Sequence, residues 1–122
     1  MMGKYILVVD DDEMVLMAVN ELLSQEGYEV HAVSSGTEAL SRLDKTRYDL
    51  VMLDIIMPEM DGFEVCRKIR EIESYSETPI ILLTAKNREE DRSEGIDAGA
   101  NLFLSKPISP DKLLEIISDT IS

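Results

Sequence analysis

The sequence predicts an α/β fold of the doubly wound kind, a five-stranded parallel sheet with helices on both faces. Three observations predict it. Short apolar runs recur at regular intervals, five in all. Amphipathic, helix-period segments separate them, and such alternation gives parallel strands joined by crossover helices. Two of the runs, Tyr48–Leu53 and Pro79–Leu83, are almost continuously apolar, as expected of strands covered on both faces. Right-handed crossovers then restrict the topology to doubly wound forms.

The first strand is expected at Tyr5–Val9. It is followed by a helical pattern over Met14–Leu23, with Val15, Val19, Leu22 and Leu23 on one stripe and Gly27 as the stop. The second strand is expected at Tyr28–Val33. Ser35 and Glu38 then match a capping box for a helix ending near Leu43. After the third strand, Tyr48–Leu53, Asp61 and Glu64 offer a similar start for a helix carrying Phe63, Cys66, Ile69 and Ile72. After the fourth, Pro79–Leu83, the segment from Asn87 to Asp97 is almost wholly polar, with Ile96 its one large apolar residue. As a helix it would be weakly anchored by burial. The fifth strand is expected at Leu102–Leu104. Ser109-Pro110-Asp111 then supplies an N-cap, a proline in the first turn and an acid matched to the helix dipole. Leu113, Leu114, Ile116 and Ile117 form the apolar side of that last helix.

The 122 residues suit one domain, expected to run over 1–122, with an ordinary core and no need of disulfides. Cys66 is the single cysteine, so no internal disulfide can form, which fits a reducing, cytoplasmic setting. Met1–Tyr5 leads into a short strand-like run rather than a signal-peptide pattern, and no apolar stretch approaches the ~20 residues of a membrane span. The formal net charge of −13 argues against direct nucleic-acid contact and against anionic membranes.

In doubly wound sheets, ligands bind beyond the carboxyl ends of the strands, where the strand order reverses. The residues just past each strand are therefore informative. Asp10, Asp11 and Asp12 come after the first, Asp54 after the third, Thr84 after the fourth and Lys106, with Pro107, after the fifth. In a 2-1-3-4-5 order, the first and third strands are neighbours, so Asp10, Asp11 and Asp54 would converge. Two carboxylates ~4 Å apart repel by roughly 4 kcal/mol at an effective dielectric near 20. A divalent cation reverses the sign of that interaction, and all-oxygen ligands with open positions suit Mg²⁺.

With these residues in place, the sequence resembles the receiver domain of two-component response regulators. "ILVVDDD", "LVMLDIIMPEMDGFE", "PIILLTAK" and "GANLFLSKPIS" carry the resemblance, in family order and spacing over nearly the whole chain. The resemblance implies a flavodoxin-like (βα)5 sandwich with strand order 2-1-3-4-5. It implies that Asp54 accepts a phosphoryl group from the phosphohistidine of a sensor kinase or phosphotransfer protein. Asp11 and Asp54, with the backbone carbonyl of Ile56, would ligate Mg²⁺ (or Mn²⁺), and Asp10 would act through water or in an outer shell. Lys106 would pair with a phosphoryl oxygen and, at rest, with Asp54. The Thr84 hydroxyl and the Ala85 backbone N–H would meet other phosphoryl oxygens. Phe103 falls at the family's aromatic switch position, and the Lys106–Pro107 bond is expected to be cis. A one-residue slip would promote Asp12 to ligand in place of Asp11.

The resemblance implies a signalling phosphoacceptor rather than an enzyme acting on other substrates. Its partners would be the kinase or phosphotransfer protein and a downstream protein docking on the face of the fourth helix, fifth strand and fifth helix. The chain lacks the acidic pair and late basic residues of DNA-binding dimers on that face, so a monomer is expected. It would be a stand-alone receiver, or alternatively a part of a larger regulator or hybrid histidine kinase. Three other readings fit less well. A degenerate receiver acting only as a scaffold would lack part of the site, yet every polar member is present. An FMN-binding flavodoxin would carry a Ser/Thr/Gly-rich loop where the aspartates stand, and an aspartyl-nucleophile phosphatase would place a second aspartate at Ile56. His31 is expected to be structural and without a partner, Cys66 to be a core residue, and Gly62 to permit a turn.

Overall fold

The computed structural model describes residues 3–121. The chain alternates β1 (Tyr5–Val9), α1 (Glu13–Gln25), β2 (Glu29–Val33), α2 (Gly36–Leu43), β3 (Leu50–Leu53) and α3 (Gly62–Glu71). After a 3₁₀ turn at Glu73–Tyr75 come β4 (Ile80–Thr84), α4 (Glu89–Ala98), β5 (Leu102–Ser105) and α5 (Pro110–Ile121). All strand pairs are parallel, in the order β2-β1-β3-β4-β5. The switch point thus lies between β1 and β3, as the sequence implied. Of the expected 1–122 span, Met1, Met2 and Ser122 lie outside the described residues.

The period-two pleat divides the core into two. Ile6 and Val8 of β1, Leu50 and Met52 of β3, and Ile81 and Leu83 of β4 face α1 and α5. Leu7 and Val9, Val51 and Leu53, and Ile80 and Leu82 face α2 and α3. β1, β3 and β4 are shielded on both faces, which is why their sequences read as unbroken apolar runs. Cys66 is fully buried on the inner face of α3, and burial pushes its thiol up to about 11, which suits a protonated core residue.

The helix starts obey their local chemistry. Ser35 Oγ accepts from the Glu38 N–H at 3.1 Å, Asp61 Oδ1 from the Glu64 N–H at 3.0 Å, and Ser109 Oγ from the Lys112 N–H at 3.2 Å. The reciprocal arm of the expected capping box is displaced by one residue, for Glu38 reaches the N–H of Ser34 rather than that of Ser35. α4 does form, yet its buried positions are Asp91, Gly95 and Ala98, while Ile96 points outward at 66% exposure. An inward face of one acid and two small residues leaves no apolar periodicity to read.

His31 is not without a partner. Its Nδ1 lies 2.6 Å from the Tyr48 hydroxyl, and its ring meets Tyr5 and Tyr48 edge-on. The partner comes from the segment before β3, a long-range pairing that no local pattern signals.

Candidate functional site at the carboxyl ends of the strands

The strand ends bring four charged side chains to one place. Backbone hydrogen bonds continue just past the ladders: the Asp54 N–H donates to Val9 O at 3.0 Å, and the Asp10 N–H donates to Val33 O at 3.2 Å. These bonds hold Asp10 and Asp54 side by side at the top of β1 and β3. One carboxylate oxygen each from Asp10, Asp11 and Asp54 lies within 4.8 Å of the others. Asp10 and Asp54 are buried, at 3% and 8% exposure, whereas Asp11 is exposed.

Lys106 arrives from the end of β5. Its Nζ donates to Asp10 Oδ2 at 2.7 Å and to Asp54 Oδ2 at 3.0 Å, so one ammonium bridges both buried carboxylates. The backbone places it there, because the Lys106 N–H donates to Thr84 O at 2.9 Å; the Lys106–Pro107 bond that follows is cis, as expected. Burial raises the Asp10 carboxyl above its usual range, only partly opposed by the Lys106 ammonium and the Asp12 N–H. Burial acts on Lys106 to lower its value, but hydrogen bonds and charge from Asp10 and Asp54 outweigh it, leaving Lys106 raised and firmly cationic. The remaining oxygens are engaged too: Asp10 Oδ1 accepts from the Asp12 N–H at 2.9 Å, and Asp54 Oδ1 from the Ile56 N–H at 3.2 Å.

Asp12 does not join the cluster. It is the N-cap of α1, accepting from the Met14 N–H at 2.9 Å and the Val15 N–H at 3.4 Å. Its carboxylate is spent on two of the unpaired donors that open every helix. Geometry therefore groups Asp10, Asp11 and Asp54, the register read directly after the apolar strand.

Thr84 ends β4 fully buried, and its Oγ1 accepts from the Lys86 N–H at 3.1 Å, so its hydroxyl proton remains available to donate. Ala85 and Ile56 are exposed beside the cluster, Ile56 at 55%. Phe103 is half-buried on β5, opposite Leu82 in the register and two residues from the partner of Thr84.

Gly62 serves the site by lacking a side chain rather than by forming a turn. A Cβ there would overlap the Asp54 carbonyl oxygen and stand 2.8 Å from Ile55 Cα. The first residue of α3 can therefore press against the Asp54–Ile55 backbone just past β3, and its N–H donates to Ile55 O at 2.9 Å. Sequence reasoning did not single out Arg92, whose guanidinium touches Phe103 and Ser105. Its polar helix offered no signal.

The donor set suits a hard divalent cation: three carboxylates, one of them exposed, and no nitrogen or sulfur ligand among the grouped residues. One ammonium against three carboxylates leaves the cluster net negative.

A family model described as the response regulator receiver domain matches residues 6–118. The transcriptional regulatory protein SrrA of Staphylococcus aureus is 40% identical over 109 residues, covering 89% of this chain and 44% of SrrA. The chain thus spans less than half the length of the curated relatives it matches. Among solved structures, the chemotaxis protein CheY4 of Vibrio cholerae superposes with a TM-score of 0.93 at 36% identity, covering 98% of this chain and 99% of that one. The signal receiver domain of a signal transduction histidine kinase from Syntrophus aciditrophicus superposes with a TM-score of 0.90 at 31% identity, covering 98% and 90%.

Proposed function

The chain belongs to the response regulator receiver domain family of two-component signalling, and from that premise we propose that Asp54 is its phosphoacceptor. The observation that carries the reading is the Lys106 ammonium held between Asp10 and Asp54. In the reaction, one Asp54 oxygen attacks the phosphorus of a phosphohistidine. The P–N bond breaks, the imidazole leaves with its electron pair, and an aspartyl phosphate results.

Carboxylates are weak nucleophiles, and phosphoryl transfer depends mainly on positioning and charge stabilisation. Lys106 already stands 3.0 Å from the acceptor and is cationic, so it can track the incoming phosphoryl oxygens without moving far. The Thr84 hydroxyl and the Ala85 N–H are further donors for those oxygens. Asp11, Asp54 and the Ile56 carbonyl would hold Mg²⁺ (or Mn²⁺) directly, with Asp10, which accepts from Lys106 and the Asp12 N–H, in an outer shell. Bound there, the metal supplies positive charge that offsets the carboxylates and the phosphoryl oxygens.

The donor is a sensor histidine kinase or a histidine phosphotransfer protein. The chain acts as one receiver domain over 1–122 that catalyses only its own phosphorylation and dephosphorylation, in the cytoplasm. Thr84 and Phe103 relay the modified state to the α4–β5–α5 face, where a downstream protein binds the monomeric receiver. The charge of −13 supports a protein rather than nucleic acid as direct partner. A stand-alone receiver and a part of a larger regulator or hybrid kinase share this chemistry.

Incubation with acetyl phosphate and Mg²⁺ tests the reading. Intact mass should increase by one phosphoryl group, stable in acid and labile in base. The Asp54→Asn protein should remain unlabelled; labelling of that variant at the wild-type rate would overturn the assignment.

A further inference from the structure

α4 buries only Asp91, Gly95 and Ala98, so polar contacts carry much of its attachment to the rest of the molecule. At its C-terminal end, Arg70 Nε donates to Gly99 O at 2.9 Å and Cys66 Sγ to Ala98 O at 3.4 Å. One turn before that end, Glu94 pairs with Arg67 of α3 at 3.1 Å, while buried Asp91 closes the helix's own capping box on the Arg88 N–H at 3.1 Å and pairs with Lys86 of the preceding loop at 3.7 Å. Between these anchors, the backbone of α4 lies directly on the Phe103 ring: a Cβ on Gly95 would stand 3.1 Å from Phe103 Cδ2. Arg92 closes over the same ring from one turn earlier, with its guanidinium carbon 5.0 Å from the ring centroid. Its two terminal nitrogens reach Phe103 O at 3.3 Å and Ser105 Oγ at 3.4 Å. Ser105 is the register partner of Thr84 and the residue before Lys106. Among the described residues no carboxylate lies within ion-pair distance of Arg92, so its charge is directed to the ring and to β5.

We propose that Arg92 is a positioning residue, a latch that holds Phe103 and α4 in the unphosphorylated arrangement and whose release is part of the switch. The proposal rests on Asp54 being the phosphoacceptor and on Phe103 moving when it is modified. A ring that leaves its place beneath Gly95 forfeits the cation–π contact, which at an exposed site biases the equilibrium by roughly two- to fivefold. Arg92 thereby sets how readily the receiver switches, although it touches neither Asp54 nor the phosphoryl group.

The test compares the wild type, Arg92→Ala and Arg92→Lys in two measurements. Half-saturation by beryllofluoride with Mg²⁺ should fall about two- to fivefold in Arg92→Ala, and Arg92→Lys, which keeps a cation but not a planar fork, should lie between. In the unliganded proteins, amide exchange should quicken within Glu89–Ala98 and stay unchanged in β1 and β3. Unaltered half-saturation overturns the latch. So does exchange that rises uniformly with a lowered urea midpoint, which would make Arg92 merely structural. If no protein, wild type included, responds to beryllofluoride, the phosphoacceptor reading fails instead, and exchange in α4 alone then decides whether Arg92 holds the helix.

Discussion

Asp11 and Asp12 are chain neighbours with different tasks, one facing the carboxylate cluster and the other capping α1. Loss of an N-cap costs about 1 kcal/mol. Asp12→Ala is therefore expected to lower the urea midpoint while leaving Mg²⁺ affinity close to wild type. Asp11→Ala should do the reverse, weakening Mg²⁺ binding at little cost in stability, since Asp11 is exposed and a cluster of like charges is relieved. Fluorescence or calorimetric titration with Mg²⁺, paired with urea unfolding, checks both. The sequence alone left these two residues open to a one-position slip, because strand ends and helix caps both favour aspartate. Thr78 makes a second prediction at this scale. It is 4% exposed, and its Oγ1 has no hydrogen-bond partner among the described residues. Replacing an unsatisfied buried hydroxyl with a methyl of similar shape removes a desolvation cost of order 1 kcal/mol. Thr78→Val should raise the unfolding midpoint, and a lowered midpoint would show that the hydroxyl is satisfied in solution.

At the scale of elements, the strands were legible because burial on both faces leaves little room for polar residues. The helix starts were legible because capping is local. α4 was the exception: Asp91, Gly95 and Ala98 give no apolar stripe, and the contacts that seat the helix come from other elements. Arg70 shows why such contacts escape sequence reading. From α3 it donates to Gly99 O, Tyr75 O, Thr78 O and Asn101 Oδ1 at 2.7–2.9 Å, tying the 3₁₀ turn, the β4 entry and the α4–β5 turn together. Asn101 Oδ1 also accepts from the Ile80 N–H at 2.8 Å. Arg70→Ala would leave three backbone carbonyls without this donor and should destabilise by about 2 kcal/mol, reduced from the sum of three by water access. Arg70→Lys should recover less than half, because an ammonium cannot span the fork. Urea unfolding of both variants measures the effect.

At the scale of the whole molecule, the sheet order turns four distant segments into one site. Asp10 and Lys106 are 96 residues apart in sequence and 2.7 Å apart in space. The site's membership was visible in the sequence because each member ends a strand, whereas the bridging of both buried carboxylates by one ammonium needed three-dimensional placement. The cluster in which His31, Tyr48 and Tyr75 interlock was invisible for lack of any local pattern. The surface carries a further expectation. With net charge −13 and no basic residue in the last turn of α5, symmetric pairing through α4 and α5 would bring like charges together. Sedimentation at tens of micromolar in beryllofluoride and Mg²⁺ should return a monomer, and a symmetric dimer built on α4 and α5 would contradict this.

The central claim is that the carboxylate paired with Lys106 receives the phosphoryl group. Borohydride reduces an acyl phosphate to an alcohol and so turns the modified aspartate into homoserine at a position that peptide mass mapping can read. After phosphorylation by acetyl phosphate with Mg²⁺ and reduction, homoserine should stand at position 54 alone. Homoserine at position 10, 11 or 12, or at none, would contradict the account.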